Sequence, residues 1–103
     1  LCIATPLLED TPRAAFDAMA RGLPILAFDI SYFRDLARCS GAVALAAWPD
    51  PRSLAERLSA LERDRREIAA MAQRGLAFAA DNTQAIWLRR RQEWVEAVIP
   101  MET

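Results

Sequence analysis

Histidine and lysine are both missing from this chain. Without histidine, the segment lacks the usual general base, the usual triad member and the commonest metal ligand. All thirteen basic residues are arginine. With so much alanine, this reads as a GC-rich coding bias and not as a phosphate-binding signature. Glycine is scarce as well. Gly22, Gly41 and Gly75 are too few and too scattered for a dinucleotide-binding fingerprint or a P-loop. The two cysteines, Cys2 and Cys39, form no CxxC pair and are expected to be free, reduced thiols. The longest apolar run, from Gly41 to Trp48, falls far short of the roughly 18 residues of a membrane span. Charge of one sign is not in excess either: the formal net charge is −1, so bulk charge gives no reason to expect a nucleic-acid partner. There is no cluster with metal-ligand spacing and no Ser/His/Asp or Cys/His set, so neither a metal nor a cofactor is expected.

What is present suits one ordinary α/β domain of 103 residues, 53% apolar and 26% charged. The first residue, Leu1, already lies inside an apolar run, so the sequence is expected to start within a longer protein. Leu1-Cys2-Ile3-Ala4 reads as a strand buried on both faces, as in a parallel sheet. Thr11 then offers an N-cap and Pro12 a first helical position, and the helix predicted from Pro12 to about Arg21 stops at Gly22. Pro24 to Phe28 is a second buried strand, followed by a short helix over Ser31 to Arg38. Ala42 to Ala46 is a weaker third strand. Asp50 caps and Pro51 opens a helix to about Arg63, with Leu54, Leu58 and Leu61 on one face. A further helix runs from Arg65 to Ala80 with a stripe of Ile68, Met71, Ala72, Leu76 and Ala79. A last one, capped at Asn82-Thr83, reaches about Ile99 and carries Ile86, Trp87, Trp94 and Val98 on its apolar side. Arg89-Arg90-Arg91, mixed with Glu93 and Glu96, reads as a solvated face. Strands alternating with helices predict a Rossmann-like parallel sheet with helices on both faces.

Ligands of open α/β sheets bind at the carboxyl ends of the strands, and a helix N-terminus there favours an anion. The first β-α turn carries Glu9 before its helix and Asp17 eight residues on, inside it. Carboxylates flanking such a turn can grip sugar hydroxyls, so the turn permits a phosphorylated, polyhydroxyl ligand. Plainer readings stay open. Glu9 suits a helix N-terminus without any ligand, and Asp17 is spaced to pair with Arg13 or Arg21, each four residues away.

The segment Glu9-Asp10-Thr11-Pro12-Arg13-Ala14-Ala15-Phe16-Asp17-Ala18-Met19-Ala20-Arg21-Gly22-Leu23-Pro24-Ile25 resembles the E-x7-E stretch of the "group 1" retaining glycosyltransferases of the GT-B fold, which continues as E-A-M-A-x-G-x-P-V. Asp29 before a helix, Gly41 before a weak strand, and Asp50-Pro51 opening an Arg/Leu helix extend the likeness more loosely to about Arg63. The resemblance implies the C-terminal part of a GT-B donor-binding domain spanning residues 1–103. Residues 83–99 would form a last helix that packs on the N-terminal acceptor domain of the same protein. It implies transfer of a sugar from a nucleotide-sugar donor to a glycan or lipid-linked acceptor hydroxyl, with retention and without an essential metal. The implied setting is the cytoplasm or the inner face of a membrane. Glu9 takes the place of the carboxylate that bonds the donor sugar, and Asp17 that of the one holding the ribose. Asp10, Thr11, Arg13 and Ala14 stand where backbone amides touch sugar or phosphate, whereas Pro12 has no amide to offer. The family's diphosphate-neutralising basic residues lie upstream of this stretch, and no catalytic proton-transfer group is identified within it.

Two departures from the family pattern stand out. Asp17 is one methylene shorter than the usual Glu, and Asp10 stands where Gly is commoner. They keep open a degenerate relative or a non-catalytic interaction module. A nucleotide-sugar epimerase shares the architecture, but its sequence pattern is not the one seen here.

Overall fold

The structure, a computed structural model, describes residues 1–6 and 13–99. Its elements run β1 (Cys2–Ala4), α1 (Ala14–Ala20), β2 (Ile25–Phe28), α2 (Ser31–Ser40), β3 (Val43–Ala46), α3 (Pro51–Arg63), α4 (Arg65–Asp81) and α5 (Gln84–Val98). The three strands form one parallel sheet in the order β1-β2-β3, with Ile25 paired to Cys2 on one side and to Val43 on the other. The expected α/β class, element order and parallel pairing are therefore present.

The central strand shows why this sequence folds this way. Every residue of β2 is buried, as an uninterrupted apolar strand covered on both faces should be. Successive side chains of a strand point to opposite faces, and β2 splits accordingly. Ile25 and Ala27 join Ala15, Ala18 and Met19 of α1, and Phe33 and Leu36 of α2, in the larger core cluster. Leu26 joins Ala44 of β3, Leu61 of α3 and Met71 of α4 in the smaller one. Helices thus cover both faces of the sheet. α4 reaches both clusters, with Ile68 and Met71 in one and Phe78 and Ala79 against the other.

Local signals set the ends of the elements. Gly22 follows α1 with φ +75°, and its N–H donates to the Met19 carbonyl at 3.0 Å. Gly41 closes α2 at φ +67°, a conformation that costs a residue with no Cβ little. The Asp50 carboxylate accepts from the Arg52 N–H at 2.9 Å, and Pro51 opens α3 behind it. Thr83 caps α5 through the Ile86 N–H at 3.3 Å. Arg74 ties α4 across to the α2–β3 turn: its Nε donates to the Gly41 carbonyl at 2.7 Å, and its guanidinium also pairs with Glu67. The expected cap at Thr11 and helix start at Pro12 lie outside the described residues. Within them, the Arg13 carbonyl accepts from the N–H groups of Phe16 and Asp17 and so begins α1.

One expectation needs correction. β1 is not buried on both faces, because Ile3 is 49% exposed. It is the last strand on its side of the described sheet, and nothing in the described residues covers its outer face there. α5 does not bury its apolar side within the described residues. None of its residues is buried, and Val98 is 80% exposed. Trp87 and Trp94, seven residues apart on one face, pack on each other edge to face at 6.0 Å between ring centroids.

Both cysteines carry free thiols. No helix among the described residues is long and apolar enough to cross a membrane.

Candidate functional site

In a parallel sheet all strands deliver their carboxyl ends to one edge, and β1 leads there into the head of α1. α4 returns alongside α1 in the opposite direction. Leu76 lies beside Gly22 at the tail of α1, and Phe78 stacks on Phe16 nearer its head, at 5.9 Å between centroids. The C-terminal end of α4 and the start of α5 are therefore carried to the carboxyl edge of the sheet. A groove of about 710 Å³ lies between α1, the end of α4 and α5, with Arg13, Phe16 and Asp17 on the α1 side and Asn82, Gln84, Trp87 and Arg91 among the residues facing them. That volume suits a small-molecule ligand.

The far wall is fixed by one side-chain amide. Asn82 donates from Nδ2 to the Phe78 carbonyl at 2.8 Å and accepts at Oδ1 from the indole N–H of Trp87 at 3.1 Å. It thereby joins the last turn of α4 to the first turn of α5. The guanidinium of Arg90 rests on the Trp87 ring, 5.0 Å from its centroid, a cation–π contact that further restricts the indole.

Of the residues singled out from sequence, Arg13, Ala14 and Asp17 are described, and Glu9, Asp10 and Thr11 lie outside the described residues. Arg13 and Asp17 line the groove together, whereas Ala14 is exposed and does not line it. The plainer reading of Asp17 holds in part: it is an exposed helix carboxylate, but among the described residues it pairs with neither Arg13 nor Arg21. Among the described residues the ion pairs are Arg34–Asp29, Arg38–Asp35 and Arg74–Glu67, and Asp17 is in none of them. Its carboxylate is exposed and lines the groove, and it accepts no side-chain hydrogen bond or ion pair among the described residues. A carboxylate in that state is equipped to accept hydrogen bonds from ligand hydroxyls.

The sequence reading missed Asn82 as a brace, and Trp87 and Arg91 as groove residues. Gln84, Trp87, Leu88 and Arg91 are spaced three and four apart, so they share one face of α5. That signal was present in the sequence. What the spacing lacks is which other helix that face meets. Arg89, Arg90 and Arg91 are all exposed, as a solvated face should be, and Arg91 also lines the groove.

A second hollow, of about 610 Å³, lies beside Leu23, Pro24, Leu58 and Ala72. It sits at the amino end of β2, the edge that ligands of open α/β sheets do not use. Among the described residues no group of three or more His, Cys, Asp or Glu side chains is placed to hold a metal ion. A scan against protein-family models and a search of curated proteins found no match to this chain.

Proposed function

We propose that the chain binds the donor of a nucleotide-sugar-dependent glycosyltransferase, as the C-terminal part of a Rossmann-like GT-B donor domain. The observation that carries the reading is the place and state of Asp17. Asp17, which stands where the resembled family has its ribose-holding carboxylate, lines a groove between α1, the end of α4 and α5, and is in none of the ion pairs among the described residues. Glu9 and the amides of Asp10, Thr11, Arg13 and Ala14 would complete the contacts to the sugar and phosphate. The segment's contribution is binding and orientation of the donor. The acceptor, a glycan or lipid-linked hydroxyl, and the diphosphate-neutralising groups belong to other parts of the protein. The exposed apolar side of α5 is proposed to pack on the acceptor domain, which suits a patch of this kind.

A second reading has one observation in its favour. The same uncovered face of α5 would serve a non-catalytic module that docks on a partner.

Titration of the full-length protein with UDP, GDP and ADP, free and as sugar conjugates, separates the two. One nucleotide is expected to bind, and Asp17→Asn is expected to weaken it about tenfold, the loss of one hydrogen bond to a charged group. Calorimetry reads this directly. If none of the nucleotides binds, the donor-binding reading falls and the docking module takes its place.

A further inference from the structure

Little fixes α5 to the rest of the molecule. Ile86 is its one half-buried residue, and none is buried. The chain enters it from α4 through Asn82 (φ −127°, ψ 36°) and Thr83 (φ −67°, ψ 159°), two residues with non-helical backbone. A pair of such residues between two helices can absorb a large change of angle, which is the make-up of a hinge. A helix on a hinge keeps one direction only if a specific contact holds it. The Trp87 indole N–H donates to Asn82 Oδ1 at 3.1 Å. Among the described residues, no other α5 side chain makes a hydrogen bond or ion pair outside its own helix. Both ends of that bond are anchored. Asn82 donates to the Phe78 carbonyl at 2.8 Å, and Phe78 stacks on Phe16 of α1. On the other side, the Trp87 ring carries the Arg90 guanidinium and meets the Trp94 ring edge to face. Contacts therefore run from α1 through Asn82 to the third turn of α5, and a single side-chain hydrogen bond carries them across the hinge.

We propose that α5 is a hinged arm that opens and closes the groove, with the Asn82–Trp87 hydrogen bond as its latch. With the bond made, Trp87, Leu88 and Arg91 stand opposite Phe16 and Asp17 and complete the groove. With it broken, the arm turns about Asn82 and Thr83 and leaves the α1 wall open to solvent. A released arm also frays. Its 15 residues bury no face, and they are near the length at which an isolated helix is marginal in water. The latch works in the empty protein, so it goes beyond the donor-binding reading and does not depend on it.

Amide hydrogen exchange of the unliganded full-length protein tests the latch in wild type, Asn82→Ala, Trp87→Phe and the double variant. Trp87→Phe keeps an aromatic ring and removes the donor. Neither residue is in the buried core, and circular dichroism checks that each variant is folded. Exchange is read under conditions where it follows the opening equilibrium, so that losing one neutral hydrogen bond changes it about fivefold. Each single variant is expected to speed exchange over residues 84–98 by about that factor, and to leave β2 and the middle of α4 as slow as in wild type. The double variant should exchange about as fast as the faster single one, because both substitutions remove the same bond. Unchanged exchange over 84–98 in both single variants overturns the latch. Effects that multiply in the double variant also overturn it, since the two residues would then act separately. An equal rise in β2 overturns it as well, for Asn82 and Trp87 would then support the whole fold. None of these outcomes turns on nucleotide binding, so the latch and the donor-binding reading stand or fall apart.

Discussion

Phe33→Ala is expected to destabilise the protein by about 3–5 kcal/mol, the usual cost of emptying a buried aromatic site. Phe33 is the largest of the fully buried side chains, and it lies in the cluster that joins α1, α2 and one face of the sheet. Tyr32 meets its ring edge-on at 5.2 Å between centroids, so truncation also removes an aromatic pair. The cavity has little chance to collapse. Its surroundings include Ile25 and Ala27, which belong to a strand hydrogen-bonded on both sides. Against the roughly 5–15 kcal/mol by which domains are usually stable, such a loss brings the fold near its limit. Urea unfolding of wild type, Phe33→Leu and Phe33→Ala measures it. Phe33→Leu should lose much less, because most of the volume stays. A loss below about 1 kcal/mol for Phe33→Ala would mean that this cluster does not hold the fold.

The second large effect comes from adding atoms. Gly75 is buried within α4, facing α1 and the start of β3. A glycine inside a helix ordinarily costs about 1 kcal/mol relative to alanine, so Gly75→Ala taken alone should stabilise. Here a Cβ would stand 3.1 Å from the Cβ of Ala42 and 3.6 Å from Cγ of Met19. The Ala42 methyl is fixed to backbone at the edge of the sheet and cannot swing aside. Gain and crowding should roughly cancel in Gly75→Ala. Gly75→Leu, whose branches have nowhere to go, should lose at least about 1–3 kcal/mol through overpacking. Thermal unfolding of the two variants beside wild type settles the point. A Gly75→Leu protein as stable as wild type would show that α4 does not pack this closely on α1 and β3.

Much of the fold was legible because its boundaries are written in single residues. Gly22, Gly41, Asp50-Pro51 and Thr83 each end or start an element for a local stereochemical reason, and the structure uses each of them so. The continuous apolar run of β2 announced a strand with both faces covered. The same argument failed for β1, since a run of apolar residues does not say whether the strand lies inside a sheet or at its margin. Ile3 is exposed for that reason. Periodicity places Leu76 in the α4 stripe, but Leu76 is partly exposed, covering Gly22, while Gly75 faces the core instead. Periodicity ranks side chains by hydrophobicity, and a glycine that permits close approach leaves no mark in it.

The candidate site divides the same way. Asp17 and Arg13 were visible as a pair on one helix turn. Their companions Trp87 and Arg91 were not, because the groove exists only once α4 has brought α5 back to the head of α1.

The double membership of α4 has a consequence for how the molecule comes apart. Its first half is covered by Leu26, Leu61 and Ala44, and its second half lies against the cluster of Met19 and Phe33. Neither cluster can open without stripping one half of this helix, so disorder on one side of the sheet propagates to the other. The residues from α1 to α4 should therefore open as one cooperative unit. α5, with no buried residue, is outside that unit and free to loosen first. Amide hydrogen exchange in unliganded protein should show one shared opening free energy for α4 and β2, and a lower one for α5. Separate values for the two halves of α4 would mean that the two cores melt independently. Opening of α5 would withdraw Trp87 and Arg91 from the groove while Asp17 stayed in place, so occupancy of the groove and the order of the last helix become two readings of one equilibrium.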